Sequence, residues 1–144
     1  MYNLEKRIAM DVKALDKALR DIITKRNELQ KIDYHNPDYD ELEELLHELE
    51  DDFQDEFGEY MEEVLQSIHD KHCPDTDVLH PIAYIAKTYT QNGNEGFQVD
   101  AGEGIYVEMD KYPGKDTKLA LVPSPLRVVL SIGKERQEVL WEAK

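Results

Sequence analysis

The spacing of apolar residues changes once along this 144-residue chain, and that change constrains the fold more than any other feature. Up to about residue 72, apolar residues recur every three or four positions, as on one side of an α-helix. From Phe97 onward they tend to alternate with polar residues, as in a β-strand. Helices followed by strands are typical of an α+β protein. We therefore predict one α+β domain over residues 1–144, with a helical hairpin in 1–73, a short helix in 78–92 and an antiparallel sheet in 97–144.

The first helix is indicated by a repeat of close to 3.5 residues, which is typical of a coiled-coil seam. The seam positions are Leu4, Ile8, Val12, Leu15, Leu19, Ile22, Arg26 and Leu29. Arg26 is the only polar member. No Gly or Pro interrupts residues 2–32, so we expect one continuous helix that packs against a second helix.

The second helix is predicted to begin at Asp38, because Pro37 disfavours helical geometry in the residue before it. Asp38 with Glu41 resembles a capping box, and the helix should continue to about His72. Its apolar positions are Leu42, Leu46, Leu49, Phe53, Phe57, Tyr60, Val64 and Ile68. Their spacing drifts from a strict heptad, so we expect a broad face, covered by the rest of the chain or by a second subunit. The short loop between the helices predicts antiparallel packing.

Residues 78–92 are predicted to form a shorter third helix, because Pro81 suits a first helical position and Asn92-Gly93 suits a helix end. A strand over residues 82–90 is the alternative.

The remaining chain predicts an antiparallel meander of four strands, or of five if residues 97–99 join it. The segments "PGKD" and "GKE" are hairpin signals between the first and the last pair of strands. Pro123 and Pro125 place a bend between the middle pair, because proline cannot donate to a β-ladder.

Charge is concentrated in the second helix. Residues 33–80 carry a balance of -17, against +3 for residues 1–32 and -1 for residues 81–144, within a formal net charge of -15. Such a surface repels nucleic acid and anionic membranes, so we expect neither as a direct partner. The charge leaves open a basic protein surface, a divalent cation or a basic segment of a second copy of the chain.

The chain has one cysteine, Cys73, which is typical of a reducing compartment because no internal disulfide can form. The N-terminal residues carry charges throughout and contain no apolar core of a signal peptide. No apolar run approaches the roughly 20 residues of a membrane span. We therefore expect a cytoplasmic, soluble protein.

The best metal candidate is the segment "HDKHCPDTDVLH". It places His69, His72, Cys73 and His80 near one helix end, and these are ligand types that Zn accepts. The segment thus predicts, as one alternative, a metal-binding protein or a metal-dependent enzyme. The competing interpretation is structural, because histidines are favoured at helix C-termini and Cys73 can be a buried thiol.

Motifs for covalent catalysis and for nucleotide binding are absent from the sequence. No serine lies in a GxSxG context, and no GxGxxG or P-loop lysine occurs. We therefore predict a non-enzymatic interaction or assembly protein. The surplus of apolar positions on two long helices further predicts a homodimer formed through the hairpin. The candidate interaction residues are Tyr34, Asp38, Tyr39, Asp40 and Glu41 at the hairpin tip, and Phe53, Phe57 and Tyr60 on the second helix.

A long hairpin with an acidic tip, followed by a β-rich part that contains "SPL" and "IGK", resembles the layout of bacterial Gre-type transcript-cleavage factors. In that family, tip carboxylates reach a catalytic Mg²⁺ inside RNA polymerase. The resemblance implies RNA polymerase as a partner, with Asp38, Asp40 and Glu41 as the matching carboxylates. The predicted third helix departs from the family layout.

Overall fold

The computed structural model describes residues 11–91 and 96–143. Its elements are α1 (Val12–Gln30), α2 (Tyr39–His72), a 3-10 helix (Pro81–Tyr84), β1 (Thr90–Gln91), β2 (Phe97–Gln98), β3 (Ile105–Tyr106), β4 (Thr117–Val122), β5 (Arg127–Ile132) and β6 (Arg136–Glu142). β1 pairs with β2, and the other four strands form an antiparallel sheet in the order β3-β4-β5-β6. The predicted α+β class, with helices first and strands after them, is confirmed.

α1 begins at Val12, and its N-cap is Asp11, which has extended backbone and a carboxylate that accepts a hydrogen bond from the backbone N–H of Ala14. The predicted continuous helix over residues 2–32 is therefore wrong at Asp11, where a capped helix start interrupts it. Seam residues Leu15, Leu19 and Ile22 are buried as predicted, together with Ile23. Leu4 and Ile8 lie outside the described residues.

Arg26, the polar member of the seam, joins the two helices. Its guanidinium donates to Glu50 Oε2 of α2 at 2.8 Å and to the backbone oxygen of Ile85 at 3.5 Å. This ion pair therefore links α1 to α2 across the hairpin.

α2 spans the predicted residues, but the predicted capping box is wrong. Asp38 occupies the N-cap position and its side chain makes no capping hydrogen bond. Instead, Oδ1 of Asn36 accepts from the backbone N–H of Asp38 at 2.9 Å. An Asx-type turn at Asn36 therefore shapes the start of the helix.

The apolar face of α2 is as broad as its drifting spacing predicts. Phe53 and Phe57 are only 1% and 7% exposed, and Met61 and Leu65 are buried beside them. α1 packs on one side of this face, and the 3-10 helix packs on another. The chain therefore covers this part of α2 itself.

The predicted third helix over residues 78–92 is wrong, and so is most of its strand alternative. A single 3-10 turn, Pro81–Tyr84, is followed by extended backbone at Ile85. The hydroxyl of Tyr89 accepts from the N–H of Ala86 at 2.8 Å and donates to the oxygen of Leu121 in β4 at 2.6 Å. Because this hydroxyl satisfies backbone groups and reaches β4, the segment needs no continuing helix.

The four-stranded meander is confirmed, with Leu119 opposite Leu130 and Leu121 opposite Val128. Residues 97–99 do not join it as a fifth strand, because Phe97–Gln98 pairs with Thr90–Gln91 instead.

Both faces of the two central strands are buried, and the segment before β3 packs against the sheet. Gln137 Nε2 donates to the oxygen of Val99 at 2.7 Å, and Arg127 donates to the oxygen of Phe97 at 2.6 Å. Gly104 has a φ of +118°, and a Cβ at this position would collide with the backbone of Leu119. Close approach of this segment to β4 therefore requires glycine there.

The bend predicted between β4 and β5 contains a cis peptide bond at Ser124–Pro125. It is also where α1 meets the sheet, because both carboxylate oxygens of Asp16 accept hydrogen bonds from Ser124. The backbone N–H donates at 2.6 Å and the hydroxyl donates at 2.8 Å.

Among the described residues, none of the helices is both long and apolar enough to cross a membrane.

Candidate protein-interaction surface

His69, the first of the four predicted metal ligands, is committed to a structural network. It is buried, and its Nδ1–H donates to the backbone oxygen of Thr76 at 2.7 Å. The hydroxyl of Tyr84 accepts from the N–H of Leu79 at 3.0 Å, so its own hydrogen is free for His69 Nε2 at 2.9 Å. Nδ1 therefore carries a hydrogen, and the lone pair of Nε2 accepts the hydrogen bond from Tyr84. Neither ring nitrogen has a lone pair left to bind a metal ion.

The other three predicted ligands lie in different environments. Burial, with the nearby positive charges of Lys71 and Lys111, lowers the pKa of His72. Cys73 is a buried free thiol, and burial raises its pKa to about 11. His80 is largely exposed, with Nδ1 at 3.5 Å from Glu62 Oε1. In residues 11–91 and 96–143, no three or more His, Cys, Asp or Glu side chains form a group that could hold a metal ion, so the predicted cluster is not assembled.

The predicted hairpin-tip residues are mostly at the surface. Tyr34 is 73% exposed, stacks on His35 with ring centroids 4.4 Å apart, and lies edge-on to Tyr39. Asp38, Asp40 and Glu41 are exposed as well. Packing across the turn and an exposed tyrosine therefore occur together, and a binding role of the tip stays a prediction.

The predicted interaction residues on α2 lie deeper. Phe53 and Phe57 belong to the core, with ring centroids 5.8 Å apart, and Tyr60 is half-buried. The chain leaves the two phenylalanines almost no free surface, and an interaction role for them stays a prediction.

One side of α2 carries an uninterrupted line of carboxylates, which we call the acidic row. Its members are Glu41, Glu44, Glu48, Asp51, Asp55, Glu59 and Glu62. Successive members lie three or four residues apart, so they share one side of the helix. With a rise of about 1.5 Å per residue, the row is about 32 Å long.

The acidic row is exposed and largely without ionic partners. Its first six members are exposed, and none of the six forms a salt bridge with another described residue. Arg26 pairs with Glu50, which is not in the row. Within the row, only Glu62 lies close to a basic side chain of the described residues, that of His80.

Beyond the C-terminal end of the acidic row lies an open apolar groove of about 620 Å³, which we call the Leu79 groove. It is lined by Glu62, Gln66, Val78, Leu79, His80 and Ala83. Leu79 is 43% exposed, although it is a large apolar side chain. Glu62 belongs to both features, so the row and the groove are continuous.

The acidic row can be found from the sequence, since its spacing of three and four residues is visible there. The Leu79 groove cannot be found from the sequence, because the pattern of residues 78–92 predicts a helix that does not form.

Similarity to known proteins assigns no role to this surface. Searches against protein-family models, curated proteins and solved structures find no match for this chain.

Proposed function

We propose that this chain is a non-enzymatic protein-interaction module that binds a basic segment of a partner protein along the acidic row. The observation that carries the proposal is the line of six exposed carboxylates from Glu41 to Glu59, which have no salt-bridge partner among the described residues.

A row of this kind works against helix stability. Like charges four residues apart destabilise a helix by a few tenths of a kcal/mol per pair, and Asp51, Asp55 and Glu59 form two such pairs in succession. A basic partner would relieve this repulsion, so part of the binding free energy would come from the row itself.

The helix also fixes the spacing of the carboxylates before the partner arrives. Because α2 packs against α1 and the 3-10 helix, the row is held on a rigid scaffold. Preorganised charge of one sign raises the association rate of an oppositely charged protein segment and helps to select it.

Titration calorimetry with an oligolysine peptide of about 12 residues tests the proposal, at about 50 mM and about 300 mM NaCl. One variant combines D51N, D55N and E59Q. Its control combines D100N, D110N and E135Q, which removes three exposed carboxylates outside α2.

We expect the α2 variant to lose about tenfold in affinity at low salt, and the control to lose about twofold or less. Equal losses would show that net charge attracts the peptide and that the acidic row has no special role. Light scattering on the same samples measures self-association through the hairpin. Self-association through the hairpin stays a prediction. The apolar surface on α2 that favoured it is smaller than the sequence suggests, because Phe53 and Phe57 are buried within the chain.

A further inference from the structure

We infer that the Leu79 groove receives large apolar side chains at one end of a basic helix, whose Lys or Arg residues lie along the acidic row. This inference rests on the proposed function and specifies the partner as a helix whose contacting face carries Lys or Arg over most of its length and large apolar residues at one end.

The first support is the apolar surface. Leu79 is exposed beside half-buried Val78 and exposed Ala83, next to the exposed polar side chain of Gln66 on α2. An apolar groove rimmed by polar residues is a common site for the anchoring side chains of a bound helix.

The second support is the rigidity of the groove wall, which follows from the network around His69. The N–H of Leu79 donates to the Tyr84 hydroxyl, and His69 receives that hydroxyl's hydrogen and donates to Thr76. These bonds fasten the segment to α2 on both sides of Leu79. A wall held in this way costs little ordering entropy when a ligand binds.

The third support is the match between the two surfaces. Acidic residues three or four positions apart on α2 face a partner whose basic residues have the same spacing, which a helix provides and an extended strand does not. The row meets the groove at Glu62, so one helix can place basic residues on the row and apolar residues in the groove.

A second copy of this chain fits the groove less well. Its basic helix, α1, already packs the buried residues Leu15, Leu19 and Ile22 inside its own chain. The described part of α1 therefore has no free apolar face to place in the groove.

The test uses two peptides of about 18 residues, long enough to form helices on binding. Both carry Lys along one face, and one end of that same face carries Leu in the first peptide and Ser in the second. Affinities are measured by calorimetry for the unaltered chain, for L79D and for L45D, at concentrations where light scattering shows each peptide to be monomeric. Leu45 is the control, because it is an exposed apolar residue of α2, 38% exposed against 43% for Leu79, outside the groove.

We expect the Leu peptide to bind about tenfold more tightly than the Ser peptide, L79D to abolish this advantage, and L45D to preserve it. A83D, at a second exposed groove position, should act like L79D, and circular dichroism checks that each variant is folded. Equal binding of both peptides, or an advantage that survives L79D, would overturn the groove while leaving the proposed function intact. If neither peptide binds, the proposed function fails together with this inference.

Discussion

Tyr84 and Tyr89 show how single side chains hold the irregular segment between the hairpin and the sheet. Each hydroxyl accepts a hydrogen bond from one backbone N–H, and each has a second partner, His69 for Tyr84 and the oxygen of Leu121 for Tyr89. Burial is the main reason that both phenols have a raised pKa, which reaches about 12 for Tyr89. At this scale, polar atoms buried in the core specify where an otherwise unpatterned segment lies.

Replacing Tyr84 with Phe should destabilise the fold by about 2–4 kcal/mol, because it leaves one buried and one part-buried group unpaired, and an unpaired buried group costs about 1–3 kcal/mol. These groups are the N–H of Leu79 and Nε2 of His69. Urea unfolding measures the change. Y106F is the control, since Tyr106 is exposed, and it should change the stability by less than about 0.5 kcal/mol. A similar small effect of Y84F would mean that water replaces the lost hydroxyl.

Cys73 is expected to behave as an inert thiol. Burial raises its pKa to about 11 from an ordinary value near 9, so the thiolate that would react is scarce at neutral pH. Labelling with a thiol reagent at about pH 8 should be at least about 100-fold slower in the native chain than in urea. The same shift contributes stability that is complete below about pH 9 and is lost as the pH rises through about 11. Native labelling as fast as in urea would contradict the burial of Cys73, and C73S, which cannot be labelled, gives the background.

At the scale of elements, α2 and the meander could be predicted because each combines a clear period with distinct boundaries. α2 has an unbroken helical period and a proline before its start, and β4 to β6 have alternation and turn residues. Residues 78–92 could not be predicted, because their apolar residues fit a helix and a strand equally well. Contacts that are distant in sequence decided between them, such as that of Tyr89 with Leu121. The burial of the second sheet face was likewise hidden, since it depends on a segment without a period of its own.

The attachment of α1 to the sheet depends on Asp16, which the sequence did not distinguish from other acids. D16A should cost about 2–4 kcal/mol, because one carboxylate accepts both the N–H and the hydroxyl of Ser124. The matched control is D21A, which removes an exposed ion pair with Lys17 and should cost less than about 0.5 kcal/mol. Thermal unfolding measures the melting temperature of both variants. Equal decreases would show that the contact between Asp16 and Ser124 stabilises the fold no more than an exposed ion pair does.

At the scale of the whole molecule, α2 has two different sides, one apolar and buried and one acidic and exposed. One side completes the core with α1 and the 3-10 helix, while the acidic row and the Leu79 groove face outward. The sequence could show how many acids the helix carries. It could not show that they end beside an apolar groove, because the groove needs the path of residues 76–84 and the hydrogen bonds that hold it.

If the carboxylates of α2 repel one another, screening should stabilise the chain, because the Debye length falls from about 30 Å at 0.01 M salt to about 3 Å at 1 M. We therefore expect the melting temperature to rise with NaCl, and millimolar Mg²⁺ to add no more than NaCl of equal ionic strength. A much larger rise with Mg²⁺ would indicate a cation site on the row.

D55K tests the source of the repulsion, because it turns two repulsive pairs, with Asp51 and Glu59, into attractive ones. It should stabilise the chain by about 1 kcal/mol at low salt and by much less at 1 M. E135K, in the exposed turn between β5 and β6, makes the same change in net charge. Equal stabilisation by both would assign the repulsion to the net charge of the molecule, whereas a larger effect of D55K assigns it to the crowding of charge along the acidic row.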